Sequence, residues 1–184
     1  MAESEELQAI ITGCIRYERA SQEKLYKQFY APLFCLCRRF FPDDHEAIEM
    51  VNDGMLKVFQ NIGSYQQDKA RLFTWAYTIV RNTVIDRLRK SVALPAIDPT
   101  GLKDILIEES EASNPLKWLE GRDLTTVFEQ LTPTLRTVAT LFYFEGYKIT
   151  EIAEALGISQ GTVKWQLSEA RKKLRPVFEK YVSL

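Results

Sequence analysis

The chain has 184 residues, 46% of them apolar, which is enough to build packed cores in one domain or in two small ones and argues against disorder throughout. A formal net charge of −1 argues against a protein that grips duplex DNA unaided through a large overall excess of Lys and Arg. The N-terminus is acidic where a signal peptide needs positive charge, and no apolar run approaches the roughly 18 residues that cross a bilayer. We therefore expect a cytoplasmic protein without membrane insertion.

Candidate metal or catalytic residues are few. The cysteines are Cys14, Cys35 and Cys37. They form neither an even disulfide set nor a Cys-x-x-Cys pair, so we interpret them as reduced residues of helix interiors. An enzyme would have to use His45, Glu46 and Glu49 as metal ligands, but the chain has no second histidine. We expect no metal, no other cofactor and no enzymatic activity.

Apolar residues at helical spacing predict two amphipathic helices within the first 40 residues. The first apolar stripe comprises Leu7, Ile10, Ile11 and Cys14. The second comprises Leu25, Phe29, Leu33, Leu36 and Phe40. No segment alternates apolar and polar residues for long enough to predict a strand, so we expect an all-α fold.

Two further helices follow a break at Pro42. Asp43, with Glu46 three positions later, resembles a capping box and predicts a helix that ends at Gly63. A polar turn at residues 64–69 precedes a predicted helix from Arg71 to Lys90. The residues expected to face inward from that helix are Leu72, Trp75, Ile79, Val80, Val84 and Leu88.

Prolines and a glycine interrupt the periodicity after Ser91, which predicts a linker to about Leu119. We expect an N-terminal helical bundle at residues 1–90, the linker at 91–119 and a C-terminal helical domain at 120–184. In the C-terminal domain, Leu124–Leu131 is expected to be helical, Thr132 and Pro133 to start the next helix, and that helix to stop by Gly146. Two short helices are predicted to finish the chain.

Charge is distributed unevenly between these segments. Residues 24–90 carry 11 Lys and Arg against seven Asp and Glu, and residues 121–184 carry nine against seven. Residues 91–120 carry two against six, and residues 1–23 two against five. The predicted helical domains are therefore mildly basic and the linker is acidic, so a partner must supply part of any grip on DNA.

The pattern from Ile149 to Ser168 predicts a helix-turn-helix. Its inward positions are Ile152, Leu156, Ile158, Val163 and Leu167. Ala153 is small where two helices would cross closely, Gly157 permits a positive φ in the turn, and Ser159 can cap the second helix. The second helix would bury one side and present the other to a DNA groove. The buried side comprises Val163, Leu167, Ala170 and Leu174.

The opposite side is the predicted DNA-reading face. With the start of the helix, the candidate DNA-binding residues are Ser159, Gln160, Thr162, Lys164, Trp165, Ser168, Glu169, Arg171 and Lys172. Arg175 shares this side. The alternative is a plain helical hairpin with a solvated basic face. Trp165 has two equal alternatives, contact with a thymine methyl group and packing on a protein partner.

Several stretches resemble a known family when read in order. They are Leu25-Tyr26-Lys27-Gln28-Phe29-Tyr30, Val51-Asn52-Asp53-Gly54-Met55-Leu56-Lys57-Val58-Phe59, Phe73-Thr74-Trp75-Ala76 and Arg81-Asn82-Thr83-Val84-Ile85-Asp86-Arg87-Leu88-Arg89-Lys90, followed after a spacer by the helix-turn-helix. Their order and text resemble bacterial RNA polymerase sigma factors of the sigma-70 family, specifically the extracytoplasmic-function (ECF) group. The resemblance covers roughly residues 24–90 and 124–175.

The resemblance implies a DNA-binding factor in transcription initiation with two modules. The first would read and help melt the minus-ten promoter element, and the second would dock in the minus-thirty-five major groove. The implied partners are core RNA polymerase, promoter DNA as duplex and single strands, and an anti-sigma factor. The acidic linker resembles the segment that runs through the channels of the core enzyme. No nucleotide-hydrolysis motif is present, so binding alone must drive strand opening.

The resemblance also implies particular residues. The minus-ten candidates are Gln66, Gln67, Asp68, Lys69, Phe73, Arg81, Asn82, Asp86, Arg87, Arg89 and Lys90. Arg81 lies near the apolar stripe, so a buried ion pair is an equal alternative to a DNA contact. For Phe73 and Trp75 we favour core packing over base stacking.

The predicted helix from Asp44 to Asn61 matches the part of sigma factors that binds the clamp coiled coil of the largest polymerase subunit. The candidate core-binding residues are Glu49, Asn52, Asp53 and Leu56. A solvated acidic face is the alternative. Three features depart from the family pattern, namely Gly54 in mid-helix, the pair Trp165 and Gln166, and Lys148 where relatives often place a capping Ser.

A helix-turn-helix repressor or activator with an all-α regulatory domain is the alternative function. Such a protein should carry a ligand pocket or an acceptor Asp on an α/β sheet in its front half, and the sequence indicates neither.

Overall fold

The computed structural model describes residues 2–91 and 127–182, and these residues contain helices and turns but no strand. The all-α prediction is confirmed for this part of the chain. The α-helices are α1 (Ala2–Ile15), α2 (Arg19–Phe40), α3 (Asp44–Asn61), α4 (Leu72–Ser91), α5 (Pro133–Tyr143), α6 (Ile149–Leu156) and α7 (Gln160–Val182). The predicted linker lies outside the described residues, apart from Ser91 at the end of α4.

Two compact units make up the chain, residues 1–84 and 85–184, and the division falls within α4. The predicted domain boundaries after residues 90 and 119 stay a prediction. In the N-terminal unit, α1 packs on α2, α2 packs on α3, and both α1 and α3 contact a short 3-10 turn at Ile62–Ser64.

The apolar stripes of α1 and α2 form much of the core of this unit. All five residues of the α2 stripe are buried, as are Ile10, Ile11 and Cys14 of α1. Leu7 is half-buried. Cys37 is also buried. Cys35 is exposed, so the prediction that it lies in a helix interior is wrong. Cys35 lies two residues after Leu33, a rotation of about 200° that turns it away from the buried face.

The ends of α3 follow from local hydrogen bonds. Asp43 accepts a hydrogen bond from the backbone N–H of Glu46 at 3.0 Å, which confirms the predicted cap. The α-helix ends at Asn61, the end of the predicted range Asp44 to Asn61, and the 3-10 turn that follows contains Gly63. There the Asn61 side chain donates to the Lys57 carbonyl at 2.8 Å, and the Ser64 hydroxyl donates to the Asn61 carbonyl at 2.7 Å. The Asn61 carbonyl is one of the last four of the α-helix, which have no partner within the helix, and the Ser64 hydroxyl supplies its donor.

The inward face of α4 is predicted correctly in part. Leu72, Val80, Val84 and Leu88 are buried. Trp75 and Ile79 are only half-buried. Residues that the sequence pattern did not assign to the inward face, Ala76, Thr83 and Ile85, are buried as well.

In the C-terminal unit, a buried cluster joins the segment before α5 to α5 and α7. Its members are Val127, Phe128, Leu131, Leu135, Ala139, Ala170 and Leu174. Pro133 occupies the first turn of α5 as predicted, although the Thr132 side chain makes no capping hydrogen bond. Of the predicted helix Leu124–Leu131, the structure describes residues from 127 onward, which are helical to 129.

The final helix is longer than predicted. α7 runs for 23 residues and contains Pro176, whereas the sequence pattern predicts two short helices at the end of the chain. Ala170 and Leu174 extend its buried face beyond the helix-turn-helix, so packing favours continuing the helix.

Candidate nucleic-acid interface

The turn between α6 and α7 has the geometry of a helix-turn-helix. Gly157 has φ 68° and ψ 36°, and the Ile158 N–H donates to the Ala153 carbonyl at 3.0 Å. Glycine adopts this left-handed conformation without the steric cost that other residues incur. Ile152, Leu156, Val163 and Leu167 are buried and Ala153 is 8% exposed, so α6 and α7 share a core as predicted. Ile158 is half-buried rather than fully inward.

Ser159 caps α7, as predicted. Its hydroxyl oxygen accepts a hydrogen bond from the Thr162 N–H at 3.0 Å, and the two hydroxyl groups lie 2.9 Å apart. Thr162 is only 5% exposed, so its side chain supports the turn. Ser159 and Gln160 are exposed at the start of the helix.

The outer face of α7 carries mixed charge and varied exposure. Lys164 is exposed, and Trp165 and Ser168 are half-buried. Lys172 is exposed and forms an ion pair of 2.6 Å with half-buried Glu169. Because the lysine end of the pair is exposed to solvent, the pair contributes little to stability, and Lys172 can exchange Glu169 for a phosphate at small cost.

Arg171 is held differently from the lysines. Its Nε donates a hydrogen bond of 2.7 Å to the hydroxyl of Tyr143, the last residue of α5. Its guanidinium carbon lies 6.0 Å from the centre of the same ring. The sequence did not identify Tyr143, because helical spacing contains no signal for a partner 28 residues away.

Two departures from the family pattern have local explanations. At the start of α6, the Lys148 N–H donates to Glu151 Oε2 at 2.8 Å, so a glutamate side chain takes part in capping where serine is common. Gln166 is 2% exposed, in contrast to its neighbour Trp165, and its Oε1 accepts no hydrogen bond from the described residues. Gln166 therefore belongs to the interior of the C-terminal unit.

In the N-terminal unit, the candidate minus-ten turn is exposed to solvent. Residues 66–69 are exposed, and the turn closes through a 3.2 Å hydrogen bond from the Lys69 N–H to the Gln66 carbonyl. Tyr65 fixes one side of it, since its hydroxyl donates to the Ala70 carbonyl at 2.8 Å. The Tyr65 ring lies 5.5 Å from that of Trp75, so an aromatic pair borders the turn.

Phe73 contacts an aromatic residue of the N-terminal core. It is half-buried and packs edge-on against Phe29, with ring centres 5.2 Å apart. The Phe73 ring therefore packs within the N-terminal unit, and its role in base binding stays a prediction.

The polar candidates on α4 differ in exposure. Asn82, Arg87, Arg89 and Lys90 are exposed, whereas Arg81 is half-buried. Half-buried Asp86 accepts a hydrogen bond of 2.8 Å from Arg89.

All four core-binding candidates on α3 are exposed. Leu56 is notable because it is apolar and 56% exposed. Asn52 is oriented by Tyr26 of α2, whose hydroxyl donates to Asn52 Oδ1 at 2.7 Å. Burial, and then the neighbouring Tyr30, raise the pKa of Tyr26, so the hydroxyl keeps its proton and remains a donor.

Among the described residues, no helix is long and apolar enough to cross a bilayer. Nor do they contain a group of three or more His, Cys, Asp or Glu side chains placed to hold a metal ion.

A capped helix-turn-helix with lysine and arginine on its outer face, preceded by a separate helical unit, defines the class of DNA-binding transcription proteins. Family models refine this class. The model of Sigma-70 region 2 matches residues 25–93, and that of Sigma-70 region 4 matches residues 121–174. Together they match well over half of the chain, which belongs to the sigma-70 family and, by its relatives, to the ECF group.

The similar proteins are sigma factors. The ECF RNA polymerase sigma factor SigW of Bacillus subtilis is 28% identical over 152 residues, covering 78% of this chain and 81% of the relative. SigL of Mycobacterium tuberculosis is 26% identical over 167 residues, covering 91% and 94%. Among solved structures, RpoE of Bartonella quintana, in complex with the anti-sigma factor NepR, matches with a TM-score of 0.47 and 20% identity, covering 85% of this chain and 96% of that one.

Proposed function

We propose that the chain is an ECF-type sigma factor that directs core RNA polymerase to specific promoters and aids strand opening. The observation that carries this proposal is that one chain contains a region 2 match followed by a region 4 match whose turn is built as a helix-turn-helix. The proposed modules are residues 1–90, the linker 91–119 and residues 120–184. The protein acts by binding rather than by chemical catalysis, and it works in the cytoplasm with the polymerase.

The C-terminal module binds the minus-thirty-five element as duplex. The first turn of α7 carries exposed Gln160, and the next carries exposed Lys164, at the end of the helix that enters the major groove in such motifs. Base edges there accept and donate hydrogen bonds in a pattern that differs for each base pair, so these side chains can read sequence.

The N-terminal module captures the non-template strand of the minus-ten element. Extracting a base costs a few kcal/mol, and stacking on an aromatic ring returns about 1–3 kcal/mol per base. The exposed turn at residues 66–69, bordered by Tyr65 and Trp75, offers polar groups beside an aromatic surface. The exposed cations Arg87, Arg89 and Lys90 hold the DNA backbone.

The exposed face of α3 binds core polymerase. Leu56 supplies apolar area, while Glu49, Asn52 and Asp53 supply polar groups around it, an arrangement typical of protein interfaces. Because the polymerase contributes much of the DNA affinity, the chain needs no large positive charge of its own. An anti-sigma factor is a further proposed partner, since such a factor must compete for the same surfaces.

Reconstitution with purified core polymerase tests this function. We expect the chain to co-purify with the core enzyme and to direct run-off transcription from promoters selected out of a randomised DNA pool. The double variant Lys164→Ala with Arg171→Ala should weaken binding of the upstream element without dissociating the holoenzyme. Conversely, Leu56→Asp should weaken association with the core, whereas Ile15→Asp, at another exposed apolar residue, serves as its control.

A chain that fails to bind the core enzyme yet binds a specific duplex by itself would replace this proposal with the repressor or activator.

A further inference from the structure

The contact between Tyr143 and Arg171 joins the end of α5 to the outer face of α7. The Tyr143 ring packs on the buried cluster of the C-terminal unit and meets Phe142 edge-on, with centres 5.1 Å apart. Its hydroxyl therefore sits at a defined place beside α7. The 2.7 Å hydrogen bond from Arg171 Nε anchors the guanidinium at that place.

This bond uses only one of the five N–H groups of the guanidinium. The structure records no other hydrogen bond or ion pair from Arg171 to the described residues, so the four N–H groups on Nη1 and Nη2 remain available. These groups form a planar fork that matches two oxygens of a phosphate. Holding Nε in place removes much of the freedom that a long side chain would lose on binding DNA.

The position of Arg171 along α7 indicates what the fork contacts. It is 11 residues beyond Gln160, which starts the helix, and at 1.5 Å per residue this is about 16 Å along the axis. In a helix-turn-helix, the N-terminal residues of the second helix contact the base edges. Arg171, about three turns further along, is therefore expected to face the sugar-phosphate backbone rather than the base edges.

We propose that Tyr143 is a positioning residue for promoter binding: it holds the guanidinium of Arg171 so that Nη1 and Nη2 clamp a backbone phosphate of the upstream element. This inference rests on the proposed function and narrows the role of Arg171 from base reading to phosphate binding. Lys164 and Lys172 differ, because neither is anchored by an aromatic residue in the described structure.

The test compares wild-type, Tyr143→Phe, Arg171→Ala and double-variant holoenzymes. The probe is a duplex promoter fragment selected with the wild-type holoenzyme, and affinity is measured over a range of salt concentrations. Arg171→Ala should weaken binding about tenfold, equally for fragments with different upstream bases, and reduce the slope of log affinity against log salt by about one. Tyr143→Phe should weaken binding about three- to tenfold, and it should have no further effect once Arg171 is alanine.

Thermal unfolding separates positioning from a structural role. Tyr143→Phe keeps the half-buried ring packed against the core, so the unfolding midpoint should move little. If the variant instead lowers affinity equally with and without Arg171, Tyr143 supports the fold rather than the arginine. Equal affinity of Tyr143→Phe and wild type, tighter binding by Tyr143→Phe, or base-dependent losses for Arg171→Ala would also overturn the proposal.

Arg171→Lys gives a second measurement, because it keeps the positive charge without the planar fork. Affinity should fall, and adding Tyr143→Phe should change it no further. A wild-type chain that assembles no holoenzyme or selects no DNA refutes the proposed function. If the wild-type holoenzyme binds the promoter but the Tyr143 and Arg171 variants do not give the affinities expected above, only this inference is refuted.

Discussion

The backbone of Gly54 on α3 lies directly against the side chain of Val80 on α4. A Cβ atom built on Gly54 would lie 2.7 Å from one methyl group of Val80 and 3.0 Å from its Cα. Mid-helix glycine costs about 1 kcal/mol relative to alanine. Here the smaller residue lets the two helices approach, so the departure from the family pattern has a packing reason.

We expect Gly54→Ala to lower the free energy of unfolding of the N-terminal unit by about 1–2 kcal/mol, because overpacking outweighs the gain in helix propensity. The loss should shrink in a Val80→Ala background, which removes the methyl groups that the new Cβ meets. Denaturant unfolding followed by Trp75 fluorescence, in a chain with Trp118→Phe and Trp165→Phe, measures it. Gly63→Ala is the control, since nothing lies within 4 Å of the Cβ that it adds.

Arg136 fastens the start of α5 to the segment before it. Its guanidinium, at a residue 6% exposed, donates to the carbonyl oxygens of Phe128, Glu129 and Leu131 at 2.8–3.0 Å. We expect Arg136→Ala to destabilise the C-terminal unit by about 3 kcal/mol, because it removes all three hydrogen bonds and leaves the buried Leu131 carbonyl without its side-chain donor.

Arg136→Lys should recover little of that loss, since an ammonium group cannot reproduce the fork. Unfolding followed by Trp165 fluorescence in a Trp75→Phe, Trp118→Phe chain measures both variants. Lys173→Ala, at an exposed position of α7, should stay within about 0.5 kcal/mol of wild type. A lysine variant as stable as wild type would contradict the role given to the fork.

Tyr17 occupies the left-handed region at the end of α1. It has φ 59°, and the Glu18 N–H donates to the Gly13 carbonyl at 2.9 Å, as in a helix-ending motif that usually carries glycine. A non-glycine residue pays about 1 kcal/mol or more there. Tyr17 is 74% exposed, so its side chain contributes little packing.

Tyr17→Gly should therefore be about 1 kcal/mol more stable than Tyr17→Ala, which removes the ring without relieving the backbone. Thermal unfolding of the two variants side by side checks this. Should the alanine variant prove as stable as the glycine variant, strain at this position is not significant.

The three cysteines should differ sharply in reactivity. Burial raises the pKa of the Cys37 thiol from 9.0 to about 12, and burial followed by the charge of Glu18 raises that of Cys14. Cys35 is exposed. At about pH 8, iodoacetamide should modify Cys35 first, because the reagent attacks the thiolate. The raised pKa alone cuts the thiolate fraction of Cys37 by about a thousandfold.

Peptide mass mapping of the labelled chain, with Cys35→Ser as control, measures this order. Rapid labelling of Cys37 in the folded chain would contradict the burial.

The raised pKa of Cys37 also makes the stability of the fold depend on pH. The Cys37 thiol keeps its proton in the folded chain, whereas the unfolded chain releases it above pH 9. The free energy of unfolding is therefore unaffected by this thiol below pH 9, and it falls as the pH rises from 9 toward about 12.

Some of the candidate interface follows from local pattern alone. The positive φ of Gly157 and the cap at Ser159 were predicted because a tight turn between two apolar stripes requires those residue types. The roles of the site residues stay predictions. Their exposure could not be read from the sequence, as Thr162 shows: it is polar, yet it is buried within α7.

The sequence by itself determined where several helices begin, which face of α1, α2 and the helix-turn-helix is apolar, and that a helix-turn-helix follows a separate helical unit. These properties depend on residues within a few turns of one another. Tertiary structure alone decided which distant residues meet: Gly54 with Val80, Arg136 with the carbonyl of Phe128, and Arg171 with Tyr143. Helical periodicity predicts that one face of a helix is buried. Which residue lies opposite that face depends on how the helices cross, and no local sequence pattern specifies the crossing.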